Sequence, residues 1–128
     1  MYNSIGQLYY YKGKANIAIK FFQMAVEIDK KYDLKNNLAI DYLNLGNAYR
    51  VAGDLEKAQE KLKKGLKLAL KLKDTHWIAI GYKYLALFYQ AKGNFDKSKV
   101  FIDKSCELLV AVGELSVKRK IHRRLYLE

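Results

Sequence analysis

Three glycines, Gly13, Gly53 and Gly93, stand 40 residues apart. Sliding the chain by that step superimposes much more than glycine. Tyr2, Tyr42 and Tyr82 coincide, as do Ile5, Leu45 and Leu85. Gly6, Gly46 and Ala86 form a small column, and Tyr9, Tyr49 and Tyr89 an aromatic one. Beyond the glycine, Ala18, Ala58 and Ser98 align, then Phe22, Leu62 and Ile102, then Ala25, Gly65 and Ser105. A period in this range marks a chain built from stacked supersecondary units, and it constrains the fold more than any composition can.

Each column has a physical role. The turn glycine separates two amphipathic stretches, as in "YRVAGDLEKA". A left-handed residue after a helix C-terminus is cheapest as glycine. Asp54 and Asn94 follow the glycine and suit an N-cap, whereas Lys14 in the first copy does not. Small columns let paired helices approach, and large ones fill the space between them. Tyr42, Leu45 and Tyr49 share one helical face, and Leu55, Ala58, Leu62, Leu66 and Ala69 share another. Seven helices are expected, at about 1–12, 15–31, 36–52, 55–73, 76–92, 95–112 and 115–127. They group into one domain, 1–128, with repeats at about 1–35, 36–75 and 76–114. A single hairpin cannot bury its apolar faces, but three stacked ones share a core.

Proline is absent and 51% of the residues are hydrophobic, which suits helices and excludes wholesale disorder. The net charge of +11 is unevenly spread. Residues 55–73 hold seven Lys against Glu56 and Glu60, and residues 114–128 hold five Lys/Arg against Glu114 and Glu128. Such runs usually form solvated helix faces, and they also suit an acidic partner. One cysteine, Cys106, allows no internal disulfide and reads as a core thiol in a reducing, cytoplasmic setting. No secretory leader pattern opens the chain, and no apolar run is long enough to span a bilayer.

The column order Tyr, Leu, Gly, Tyr, turn Gly, Ala, Leu, small resembles the tetratricopeptide repeat. The middle copy, "YLNLGNAYRVAGDLEKAQEKLKKGL", is the nearest match. The step of 40 exceeds that family's usual 34, and the proline that commonly ends the second helix is missing. This pattern is similar to the long repeats of kinesin light chains, Pins-type adaptors and bacterial TPR-linked regulators. The resemblance implies an all-α, right-handed superhelical solenoid of antiparallel hairpins that binds protein. It also suggests that residues 115–127 are either a truncated fourth repeat, with Leu125 in the leucine column and Tyr126 in the small column, or a capping helix. Val117, Ile121 and Leu125 would form the apolar face of such a cap.

Motifs for chemistry are missing from the sequence. His76 and His122 lie in different units without metal-ligand spacing. The serines show no nucleophile elbow, and no glycine-rich phosphate loop occurs. No enzyme activity, cofactor or metal is expected.

In the family that the columns resemble, first helices of the hairpins wall a concave groove. On this chain the matching positions are Asn3, Ser4, Gln7, Tyr10 and Tyr11; then Leu43, Asn44, Asn47 and Arg50; then Lys83, Tyr84, Leu87 and Gln90; and finally Arg123 and Arg124. Amides can pair with an extended backbone, aromatics supply contact area, and arginine pairs with carboxylates. Asn44 and Asn47 resemble the asparagines that hold peptide backbone in long-repeat adaptors. The lysine and arginine clamp of chaperone-tail binders is not matched, since Asn3, Gln7, Asn44, Ile80 and Tyr84 fill its places. The expected partner is therefore a protein or peptide segment, acidic with apolar anchors. Nucleic-acid binding through the basic faces and self-assembly through exposed end repeats are the alternatives. No membrane partner is expected.

Overall fold

A computed structural model describes the backbone of residues 1–126 and the side chains of residues 1–113. Six helices follow one another: α1 (Tyr2–Tyr11), α2 (Ala15–Lys31), α3 (Lys35–Ala52), α4 (Leu55–Leu72), α5 (Thr75–Ala91) and α6 (Phe95–Tyr126). The first five match the ranges expected from the sequence to within a residue at most ends. Among the described residues there is no strand.

Each turn closes in one way. Gly53, with φ of 89°, takes the left-handed conformation, and the Asp54 amide reaches back to the Tyr49 carbonyl at 3.0 Å. Gly13 and Gly93 repeat this geometry. The turns between hairpins use Asp33 (φ 53°) and Lys73 (φ 57°), which also stand one period apart. Asp54 accepts from the Lys57 amide and Asn94 from the Lys97 amide, while Lys14 gives its helix no side-chain cap. Asp74 caps α5 by accepting from the Trp77 amide.

The next step of the period falls on Gly113, where the sequence reading ends one helix and begins another at 115. The structure carries a single helix from Phe95 to Tyr126 instead. Gly113 does not take a positive φ. It is followed by Glu114 and Leu115, which offer no N-cap, although Lys14 and Leu34 offer none after their turns either. A lone mid-helix glycine only weakens a helix.

Packing proceeds by nearest neighbours. α2 lies between α1 and α3, and α4 between α3 and α5, while α6 rests on α5. The backbones of the first helices also approach one another, α1 to α3 and α3 to α5, whereas those of α2 and α4 stay apart. Helices α1, α3 and α5 therefore form the inner layer of a curved stack. The core gathers on α3, where every residue from Asp41 to Tyr49 is buried.

The small columns are notches. A Cβ on Gly46 would lie 2.7 Å from Leu62 Cγ and 2.9 Å from the Leu62 amide nitrogen. One on Gly65 would meet Leu43 just as closely, and one on Gly6 would strike the Phe22 ring at 2.6 Å. In the third hairpin, serine hydroxyls mark the approach: Ser98 donates to the Ala86 carbonyl at 2.8 Å and Ser105 to the Ala79 carbonyl at 2.9 Å. Tyr9 stacks on Phe21 and Tyr89 on Phe101, with ring planes 1° and 4° apart. In the middle hairpin Lys61 holds the equivalent position, its ammonium 5.9 Å from the Tyr42 ring.

Two core expectations fail on α6. Ile102 shares a column with buried Phe22 and Leu62, yet it is 47% exposed. Cys106 is exposed too. The positions equivalent to Cys106 in the earlier hairpins, Val26 and Leu66, are buried on helices packed between two neighbours. Among the described residues α6 has α5 alone.

The notches and Gly113 make opposite predictions. Gly46→Ala is expected to cost about 1–3 kcal/mol, as overpacking does. Gly113 has no atom within 4 Å of an added Cβ. Gly113→Ala should therefore stabilise by up to about 1 kcal/mol through helix propensity. Urea unfolding measures both, and a loss for Gly113→Ala would indicate a turn at that residue.

Candidate functional site

Side chains from three helices meet on the inner layer. Tyr10 and Tyr11 come from the last turn of α1, Arg50 from the last turn of α3, and Tyr84 from the middle of α5. Burial pushes the Tyr84 phenol up to about 12, and the neighbouring Tyr10 and Tyr11 push the same way while Arg50 opposes them. Tyr84 is thus a neutral, half-buried phenol set among these three residues. The rings of Tyr10 and Tyr11 meet edge to face with centroids 5.5 Å apart.

Arg50 is held in place. Its Nε donates to Asn47 Oδ1 at 3.1 Å, and the Asn47 amide donates to the Tyr10 hydroxyl at 2.9 Å. Among the described residues the Arg50 guanidinium forms no ion pair; the ion pairs found there join Lys61 and Lys64 to Glu60. A pre-positioned guanidinium beside three tyrosines offers bidentate carboxylate recognition within an aromatic frame.

A polar line continues toward the other end of α3. Asn44 donates to Asn3 Oδ1 at 3.2 Å, and Asn3 donates in turn to Asp41. Asn44 and Asn47, expected to face a bound peptide backbone, are buried and use their amides to tie α1 to α3. Gln7 lies half-buried on α1 and Ser4 is exposed. Leu43 is fully buried. It fills the Gly65 notch and approaches the Gly81 position on α5, so it belongs to the core and not to the groove wall. On α5, Lys83 and Gln90 are exposed and Leu87 is half-buried. The side chains of Arg123 and Arg124 lie outside the described residues.

Asp41 is not among the groove positions read from the sequence. Its carboxyl is 1% exposed and is raised to about 8, first by burial and then by the adjacent Asp29 carboxylate, against the Asn3 amide and the Met1 α-amine. The signal available in the sequence was a lone acid one turn before Asn44, but nothing there revealed that α1 and α2 would close over it. Among the described residues, no three of His, Cys, Asp and Glu gather as a metal would require. No helix among them is long and apolar enough to cross a membrane.

Curved stacking, hairpin after hairpin, defines a helical-repeat solenoid. A family model described as "Tetratricopeptide repeat" matches residues 1–71, more than half of the chain, and the chain belongs to that family. Among solved structures, the crystal structure of the TPR domain of Arabidopsis FLU superposes with a TM-score of 0.78 at 17% identity, covering 86% of this chain and 92% of that one. BtubC (BKLC) from P. vanneervenii superposes with a TM-score of 0.58 at 16% identity, covering 88% of this chain and 63% of that one. These two likenesses show the fold alone. No curated protein sequence matches the chain.

Asp41 governs a pH dependence. In the folded chain it keeps its proton up to about pH 8, whereas the ordinary aspartate value is 3.8. Its contribution to stability is therefore complete below the ordinary value and is lost as pH rises through 8. Asp41→Asn should raise the melting temperature at pH 8, have little effect near pH 4, and flatten the profile between them. Thermal unfolding across this range provides the measurement, and parallel profiles for the two proteins would contradict an Asp41 held protonated.

Proposed function

We propose that this domain is a protein-interaction module whose inner layer binds an acidic peptide segment with apolar anchors. The reading rests on Arg50, oriented by Asn47, free of any intramolecular carboxylate among the described residues and framed by Tyr10, Tyr11 and Tyr84. Arg50 supplies the charge-assisted contact, and the tyrosines supply desolvated area at low entropy cost. Gln7, Lys83, Leu87 and Gln90 extend the surface on either side, and Arg123 and Arg124 would add to its basic character. Membership of the repeat family supports binding as the general role; the peptide's chemistry follows from these side chains. The solitary Cys106 suits a reducing compartment such as the cytoplasm.

The lysines of α4 support an external partner less well. The Lys57 ammonium sits over the Tyr49 ring, and those of Lys61 and Lys64 sit over Tyr42 while also pairing with Glu60. Their charge is partly satisfied at home. Self-association is the second reading, favoured by Ile102, Leu109, Val110 and Val112, all exposed on α6.

Selecting peptides from a random displayed library against the domain should enrich Asp/Glu beside aromatic or aliphatic residues. For a selected peptide, Arg50→Glu should weaken binding and flatten its salt dependence without unfolding the domain. Tyr84→Ala should cost about 1–2 kcal/mol with the salt slope unchanged. Replacing Lys57, Lys61 and Lys64 together by Gln should leave affinity intact. Loss in that triple variant with a silent Arg50→Glu would move the site to the lysine face and favour an acidic surface or nucleic acid.

A further inference from the structure

Successive hairpins join when a first helix packs on the second helix before it, α3 on α2 and α5 on α4. Such a joint needs two faces, one on each helix. Among the described residues the chain carries each face once more without a mate. On α6, Ile102 is 47% exposed, whereas the equivalent Phe22 and Leu62 are fully buried. Cys106 is exposed where Val26 and Leu66 are buried, and Leu109 is exposed where Ala69 is buried. A shallow opening of about 400 Å³ runs along this side of α6, lined by Asp103, Cys106, Glu107, Val110 and Ala111. On α1, Leu8 is 52% exposed, whereas the equivalent Ala48 and Phe88 are fully buried. Ile5 is half-buried where Leu45 and Leu85 are buried.

We infer that these two faces are the halves of one joint, and that the chain binds a second copy of itself head to tail, α1 of one copy seated on α6 of the other. The internal joints supply the register. A Cβ added at Gly81 would lie 3.0 Å from Leu66, so these two positions face each other across the joint of α4 with α5. Their equivalents are Met1 and Cys106. Cys106 of one copy therefore meets the start of α1 of the other. The two helices run antiparallel, so Leu8 falls toward Ile102. Asp103 and Glu107 do not obstruct the contact. Their equivalents Gln23, Lys63, Glu27 and Lys67 are all exposed beside the internal joints, which places the two acids on the rim. An apolar centre with a polar rim is the usual anatomy of a specific interface.

Repetition identifies the occupant. A face shaped by this repeat fits a first helix of the same repeat, and this chain supplies one whose matching face is open. The extension of α6 does not fold back over Ile102, because the helix continues without a break to Tyr126. The contact is heterologous, since two different faces meet, and such contacts repeat until a ring closes or a filament grows. Helix α1 has 10 residues against 18 in α3 and 17 in α5, so the joint between copies is smaller than either internal one and association is reversible. The inference rests on the self-association reading and is independent of the Arg50 groove.

Sedimentation velocity of the 128-residue chain provides the test. Its weight-average mass should climb with concentration and pass that of a dimer. Leu8→Glu spoils the α1 face alone and Cys106→Glu the α6 face alone, so each variant should be monomeric. Mixed in equal amounts, the two should form a dimer and nothing larger, because one intact joint remains between them. Circular dichroism verifies that both are folded. In the unaltered chain, alkylation of Cys106 by iodoacetamide should slow several-fold between the monomeric and the assembled range, which decides the matter should a variant unfold. Association that survives Leu8→Glu would overturn the head-to-tail joint while keeping self-association, with α6 paired on α6. A mixture of variants that stays monomeric, or an alkylation rate independent of concentration, would also overturn the joint. An unaltered chain that is monomeric at every concentration would overturn both readings and leave the α6 face to a different protein.

Discussion

Helices α3 and α4 cross through two reciprocal notches, and the rest of the molecule is arranged around that crossing. Gly46 of α3 receives Leu62 of α4, and Gly65 of α4 receives Leu43 of α3. Each glycine removes the side chain that would hold the helices apart, and each leucine refills the space with close-packed carbon. Interiors at crystal-like density tolerate little change at such points. With α3 locked to α4, the flanking helices α2 and α5 close on its remaining sides, and α1 covers what is left.

Complete enclosure of α3 has an electrostatic consequence. Its sequence keeps Asp41, Asn44 and Asn47 along one line, and all three are buried. A buried polar group must find partners within the protein. Asn3 and Tyr10 of α1 supply most of them, so the first helix is fixed in register by hydrogen bonds as well as by the Phe22 ring against Gly6. Arg50 extends the line to its basic end. The other end is uncharged, because Asp41 is buried and holds its proton.

The fold was legible because its signals recur. Three turn glycines, two capping residues and seven columns each said the same thing in successive copies, and helix boundaries followed closely. Gly113 shows where periodicity misleads: it holds the turn position of Asp33 and Lys73, yet the helix runs through it. The grouping of the candidate residues was legible in part. Tyr10, Tyr11, Arg50 and Tyr84 do come together, because first-helix positions facing away from the second helices must share one side of the stack. Leu43 was misplaced because its column reads Asn3, Leu43, Lys83, polar in two copies; only Gly65, smaller than Ala25 and Ser105 at that column, lets the leucine turn inward. Asn44 and Asn47 were misread for a related reason. Their partners lie on α1, some 40 residues away, and no local pattern announces that pairing.

The ends of such a stack obey different energetics from its middle. In a repeat protein, stability is close to a sum of unit terms and nearest-neighbour interfaces. The second hairpin has neighbours on both sides, whereas α1 has α2 and a narrow contact with α3. Yet α1 delivers Tyr10 and Tyr11 to the proposed groove and Asn3 to the buried Asp41 carboxyl. The proposed binding surface thus depends on a helix whose attachment to α3 is largely polar. A ligand that bridges Tyr10 to Arg50 favours the docked form of α1 over any form in which it is detached. By linkage, such a ligand stabilises the first hairpin by the same free energy with which docking of α1 improves its own binding. On the proposed reading, recognition and the local stability of the amino-terminal hairpin are one equilibrium, set by the few hydrogen bonds that join α1 to α3.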